Sequence, residues 1–383
     1  MVIGLSLFHT LSNESIGYKF QQKICSMRFL SHLAFITLVV HSLACNTDFR
    51  ERAKGDTREF VVVMDSVEWN SETANAIRET FGKFVFSLPN PEPYYDLTFM
   101  HIRSRSQLER IMGYKNIIFA APIDDSTTVA AQIRAFLDEG TEQRVRNGDS
   151  FAFPLIDQWY KDQYALILSS STDSALAAKI RNTESALLNN ALDKELLRWN
   201  WFVYEKKEQT QYSDSLWNDH GFMVRIQHDY IKRIDTTNFI SYRRFLPDND
   251  RWMWVWWQDD VRDISFLDDD WINRTRDSLN QQFIKGRTDS MFITTEYRRP
   301  VESTSFQKGR YLSYETLGTW QMINGAMGGP FVNFTYFDES TSRLFMIEYS
   351  QFAPSVRKKL PFVRQFRAMG RTFESDSLYS MTP

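Results

Sequence analysis

The chain has 383 residues, 43% of them hydrophobic and 15% aromatic, with a formal net charge of −3. That length accommodates two domains with sizeable cores. The near balance of charge excludes the basic character by which proteins neutralise nucleic-acid phosphates, and nucleic acid is not an expected partner. The only cysteines are Cys25 and Cys45, which excludes a disulfide-built scaffold.

Met27 to Cys45 reads MRFLSHLAFITLVVHSLAC. Arg28 gives a positive flank, Leu33 to Val40 a short apolar core, and Ser42-Leu43-Ala44 the small residues of a cleavage site. A helix needs roughly 20 apolar residues to cross a bilayer, so this core is too short to be a span. With a cysteine ending the site, the stretch resembles a bacterial lipoprotein signal. The resemblance implies cutting before Cys45 and lipid on its sulfur and new amino group. Residues 1–44 are therefore the expected signal region, with 1–26 an over-extended start ahead of Met27. Residues 45–58 are a polar tether. Asn46 in place of Asp after the anchor points to the outer membrane, on its periplasmic or surface face.

Residues 59–205 are expected to form an N-terminal α+β domain. Glu59 to Asp65 (EFVVVMD) is β-branched and bounded by polar residues, a central strand. Ser71 caps a helix whose Ala74, Ile77 and Phe81 share a face and which Gly82 stops. Pro89, Pro91 and Pro93 mark an extended loop. Strands are predicted at 95–102, 116–121 and 164–169, a short helix at 107–112, an interrupted helical region over 137–159 and one long helix over 174–197. The charged stretch 205–219 reads as a boundary.

Residues 218–375 are expected to form a second α+β domain. Predicted strands lie at 222–227, 239–245, 251–257, 291–297, 311–322, 331–337 and 344–349, with helices at 270–284 and 361–369. The fold class predicted for the whole is α+β, with mainly antiparallel sheets and helices packed on one face of each.

The residue clusters point to little chemistry. Asp259, Asp260 and Asp263, followed by Asp268-Asp269-Asp270, could converge on a hard cation, but no EF-hand pattern accompanies them. Asp268 to Asp270 precede a helix and suit its N-terminus. Trp252, Trp254 and Trp256 alternate along a strand. Exposed, they would stack on a sugar or hold a partner; with Met253, Val255 and Trp257 opposite, a strand covered on both sides is favoured. His220 and His228 flank a strand, and the chain has neither HExxH nor GxSxG. Gly325 to Pro330 reads as a turn between strands. Asp followed by Ser or Thr recurs, for example at Asp65, Asp125, Asp173 and Asp277. These triplets resemble the O-glycan acceptor pattern of exported Bacteroidetes proteins, but Asp-Ser pairs also suit turns and caps, which is the favoured reading. No catalytic residue and no cofactor is implied.

Gly318-Thr319-Trp320-Gln321-Met322, then Met327-Gly328-Gly329-Pro330-Phe331-Val332, a strand and a basic final helix resemble the DUF4837 family of Bacteroidetes lipoproteins. Val61 to Asp65, Trp69 and the Leu88 to Pro93 loop resemble that family's opening. The resemblance implies an envelope lipoprotein and transfers no catalytic residue. The expected role is a non-catalytic interaction or assembly module held at the membrane through lipid on Cys45, with an envelope protein or glycan as partner. The alternatives are an envelope hydrolase or metal-dependent enzyme, and a glycan-binding module.

Overall fold

The computed structural model describes residues 48–378. The signal region and Cys45 lie outside the described residues. The first half contains β1 (Glu59–Val63), α1 (Glu72–Phe81), β2 (Asp96–Met100), α2 (Arg105–Met112), β3 (Asn116–Ala120), α3 (Thr128–Phe136), α4 (Glu139–Asn147), β4 (Ala152–Ile156), β5 (Tyr164–Leu168), α5 (Asp173–Asn182) and α6 (Glu184–Tyr204). The sheet runs β2-β1-β3-β5-β4. All its pairings are parallel except that of β4 with β5.

The α+β class holds for the chain as a whole, but this sheet departs from the expected antiparallel form with helices on one face. The runs EFVVV and NIIFA are apolar at successive positions, so both faces of these strands demand cover. Phe60 and Val62 pack with α1, α5 and the start of α6. Val61 and Val63 pack with α2, α3 and α4 on the other side. The region read as interrupted helix over 137–159 resolves into α4 and the edge strand β4, where Pro154 is tolerated because an edge leaves one side unpaired. The long helix expected over 174–197 is two helices, broken at Thr183, whose hydroxyl donates to the Lys179 carbonyl at 2.8 Å. Ser71 caps α1 as predicted, accepting from the Ala74 N–H at 3.3 Å.

The second half contains α7 (Thr210–His220), β6 (Ile231–Asp235), β7 (Phe239–Arg244), β8 (Asp250–Gln258), α8 (Asp269–Phe283), β9 (Ile293–Thr295), β10 (Glu302–Lys308), β11 (Tyr311–Met322), β12 (Gly328–Asp338), β13 (Arg343–Phe352) and α9 (Leu360–Gly370). Its eight-stranded sheet runs β9-β11-β12-β13-β8-β7-β6, with β10 on the free part of β11. Every pairing is antiparallel. Here too helices cover both faces: α7, α9 and the end of α6 on one, α8 on the other. Much of the stretch read as a boundary, 205–219, is α7, which buries Leu216.

Gly325 to Pro330 is only partly the turn expected. Asn324 carries the positive φ, 55°, while Gly328 and Gly329 already belong to β12. Gly329 is needed for space, since a Cβ there would lie 1.9 Å from the Gln351 carbonyl oxygen on β13.

From Arg52 to Leu378 the chain forms one compact unit, and the four hydrophobic cores found among the described residues lie inside it. The two halves are joined through α6 and α9. Glu195 on α6 and Arg364 on α9 meet at 2.7 Å, with side chains 2% and 3% exposed. The Tyr95 hydroxyl and the Trp199 indole N–H each donate to the same carboxylate at 2.9 Å. Arg364 also donates to the Tyr94 carbonyl. Glu92, from the first half, accepts from the backbone N–H groups of Lys359 and Leu360 and so caps α9, whose Pro361 has no N–H to satisfy.

Two substitutions test this account by urea unfolding. Arg364→Met strands the Glu195 carboxylate and should cost about 3–5 kcal/mol, because breaking a buried pair leaves an uncompensated charge. Gly329→Ala should cost about 1–3 kcal/mol from overpacking. A loss below about 1 kcal/mol for Arg364→Met would remove the pair from the joint.

Candidate functional site

A cleft of about 670 Å³ lies outside the amino ends of β1, β3 and β5. The segment 56–58, Lys115, the 157–162 loop and the last turns of α6 line it, with six cationic and three acidic side chains. Half of the cations are committed within the fold. Arg198 holds Asp162 at 2.9 Å and donates to the Asn116 side chain at 2.6 Å. Lys194 holds Asp157 at 2.9 Å, and Arg58 holds Asp56 at 2.9 Å. The Arg58 guanidinium lowers Asp56 to about 2. Arg52, Lys115 and Lys161 carry no ion pair among the described residues, so the cleft is net cationic on a net anionic chain.

Beside it stand Leu197, Trp201 and Phe202, exposed by 67%, 54% and 52%. Positions 197 and 201 are one turn apart on α6 and share a face. Phe202 projects beside them, edge-on to Trp199 at 5.4 Å, and all three line the cleft as an apolar knob. The Arg52 guanidinium lies 4.9 Å from the Trp201 ring centre, an arrangement that holds the indole at the rim. Asp157 and Asp162, in the lining loop, have φ of 51° and 63°, a left-handed conformation that Asp tolerates better than most residues.

A second feature lies at the opposite, carboxyl ends of the parallel strands. Strand order reverses between β1 and β3, and the crevice at such a switch point is where open α/β sheets receive ligands. Glu68 follows β1 and Asp125 follows β3. Burial, then the neighbouring Asp125 carboxyl, pushes Glu68 up to about 7. Ser170, just beyond β5, is buried with its hydroxyl unpartnered among the described residues.

The residues singled out from sequence do not assemble into a site. Trp252 and Trp254 are buried and Trp256 is half-buried, all beneath α8. Trp254 donates to the Asn280 side chain at 3.1 Å, and Trp252 meets Trp320 edge-on at 5.1 Å. Trp252 and Trp254 are thus withdrawn from solvent, while Trp256 keeps part of its surface accessible. Asp259 holds Arg343 at 2.6 Å, Asp260 holds Arg262 at 2.8 Å, and Asp263 accepts from the Ser265 N–H at 2.8 Å. Asp268 caps α8, accepting from the Trp271 N–H at 2.7 Å. Among the described residues no group of three or more His, Cys, Asp or Glu is placed to hold a metal. His220 ends α7 against the Trp257 ring at 4.7 Å, and burial lowers its pKa. His228 lies 3.8 Å from its neighbour Asp229. Asp277, from one of the Asp-Ser triplets, sits inside α8 and accepts from the Thr295 N–H at 2.8 Å.

The raised Glu68 makes stability depend on pH. A carboxyl that keeps its proton more tightly in the folded state contributes stability that is complete below about 4.5, its ordinary value, and is lost as pH rises through about 7. The melting temperature should therefore fall between pH 5 and pH 8 by more in the wild type than in Glu68→Gln, measured by scanning calorimetry. Parallel slopes would contradict the assignment.

No curated protein matches this chain. Among solved structures, the Ran-binding protein Mog1p of Saccharomyces cerevisiae is similar at a TM-score of 0.28 and 10% identity, over 42% of this chain and 95% of that one. A point mutant of Mog1 gives 0.27 and 9%, over 41% and 92%. Likeness at that level carries no argument about fold or role. Residues 53–201 match the family model described as Domain of unknown function (DUF8532). Val61 to Asp65, Trp69 and the Leu88 to Pro93 loop fall inside that match, so their resemblance to DUF4837 is not supported. Residues 209–372, which include the Gly318 to Met322 and Met327 to Val332 segments, match the family described as Domain of unknown function (DUF4837).

Proposed function

We propose that the protein is an envelope-anchored lipoprotein, held through lipid on Cys45 at the outer membrane, that works as a non-catalytic interaction or assembly module. The observation that carries the interaction reading is the knob of Leu197, Trp201 and Phe202 beside the cationic cleft. Leaving two large aromatic side chains exposed side by side forgoes their burial, and such side chains dominate contact energetics when a partner covers them. The signal-like stretch Met27 to Cys45 supports the anchor, and the DUF4837 match supports placement among proteins to which no activity is assigned.

A second reading, an envelope hydrolase, is favoured by one observation. Glu68, raised to about 7 beside Asp125 at the switch point, has the pKa of a group that exchanges protons at neutral pH.

The test is capture from solubilised membranes. The native protein should begin at Cys45 with the added mass of acyl chains, and it should retain co-purifying envelope components that Trp201→Ala/Phe202→Ala loses and Glu68→Gln keeps. A native product with an unmodified thiol at position 45 would refute the anchor. Equal capture by the wild type and the double variant would refute the knob as the contact surface.

A further inference from the structure

We propose that the cleft rim is the membrane-facing surface of this protein and seats on anionic lipid headgroups. The biological setting rests on the Cys45 anchor, whereas the binding rests on the rim's own chemistry.

The point where the chain enters the folded unit is pinned at this rim. Arg52 forms a parallel bridge with Lys161, and the Ala53 N–H donates to the Lys161 carbonyl at 2.9 Å. The Lys54 N–H donates to the Gly113 carbonyl at 2.7 Å, and the Lys115 N–H donates back to the Lys54 carbonyl at 2.8 Å. Arg52 is seven residues after Cys45. Whatever course those residues take, seven residues span at most about 25 Å fully extended. Lipid on Cys45 would therefore hold the mouth of the cleft within about 25 Å of the bilayer surface.

The side chains gathered at that mouth are those a membrane surface selects. Arg52, Lys115 and Lys161 line the cleft and carry no ion pair among the described residues. Cations so placed are attracted to anionic headgroups. Tryptophan prefers the boundary between water and hydrocarbon, and an apolar knob flanked by lysines is the arrangement by which surface-bound proteins insert shallowly. An acidic protein segment would answer the charge. It would give no reason for the exposed aromatic residues and the entry point of the tether to share one rim, which is why lipid is the favoured occupant.

The experiment uses residues 46–383, which contain all four cores and lack Cys45, so binding cannot come from an acyl chain. Sedimentation with vesicles of phosphatidylcholine alone is compared with vesicles containing phosphatidylglycerol. The protein should bind the anionic vesicles at least tenfold more tightly, and binding should weaken as salt is raised. Trp201→Ala/Phe202→Ala and Lys115→Glu/Lys161→Glu should each lose about tenfold in binding while melting as the wild type does. Equal binding to both vesicle types, unchanged binding by either variant, or binding to neither would overturn the proposal, the last leaving the rim to a protein partner. The mass of the native protein reports separately on Cys45, so failure of the anchor and failure of the surface are distinguishable.

Discussion

The ion pair between Glu195 and Arg364 is the constraint on which the arrangement of the second half against the first depends. It is almost fully withdrawn from water and satisfied further by Tyr95, Trp199 and the Tyr94 carbonyl. A pair so buried need not add net stability over an apolar alternative, but it tolerates few geometries, because any displacement strands a charge. The start of α6 packs in the core of the parallel sheet through Leu187, Leu188 and Ala191. Its end packs in the core of the antiparallel sheet through Leu196, Trp199, Val203 and Tyr204. A single helix thus belongs to two cores, and Glu195 lies where one gives way to the other.

That shared helix also sets the position of the knob. Leu197, Trp201 and Phe202 occupy the face of α6 that neither core claims, and Arg198, a neighbour on the same turns, is tied to Asp162 and Asn116 at the sheet's amino edge. The cleft is therefore walled by a rigid helix on one side and by strand ends on the other. Its surplus positive charge lies beside the point where the chain enters the fold. A net charge of −3 hides this segregation, since the acidic excess lies elsewhere on the chain.

Several elements were legible in the sequence because their signals are local. The strand predicted at 311–322 is β11 residue for residue, Ser71 caps α1, and Asp268 to Asp270 open α8. The parallel sheet was misread although EFVVV and NIIFA, apolar at every position past the first, announce strands covered twice. β10 was missed because ESTSFQK is mostly polar and owes its conformation to pairing with β11. The tryptophan strand stands out by its spacing, and only the tertiary structure shows Trp252 and Trp254 buried in the core that α8 covers. The cleft could not be read in advance, because Arg52, Lys115, Lys161 and Trp201 are brought together only by the fold. The sequence WNWFVY at the end of α6 is apolar or aromatic apart from Asn200, and nothing local says that Val203 is buried while Trp201 and Phe202 are not.

The most direct measurement of the central claim is native-state hydrogen exchange along α6. If this helix is one rigid element shared by two cores, amides near Ala191 and near Val203 should open with the same free energy, equal to that of global unfolding. Exchange near Val203 that is much faster than near Ala191, and independent of global stability, would show that the two halves open separately and that the buried pair does not couple them.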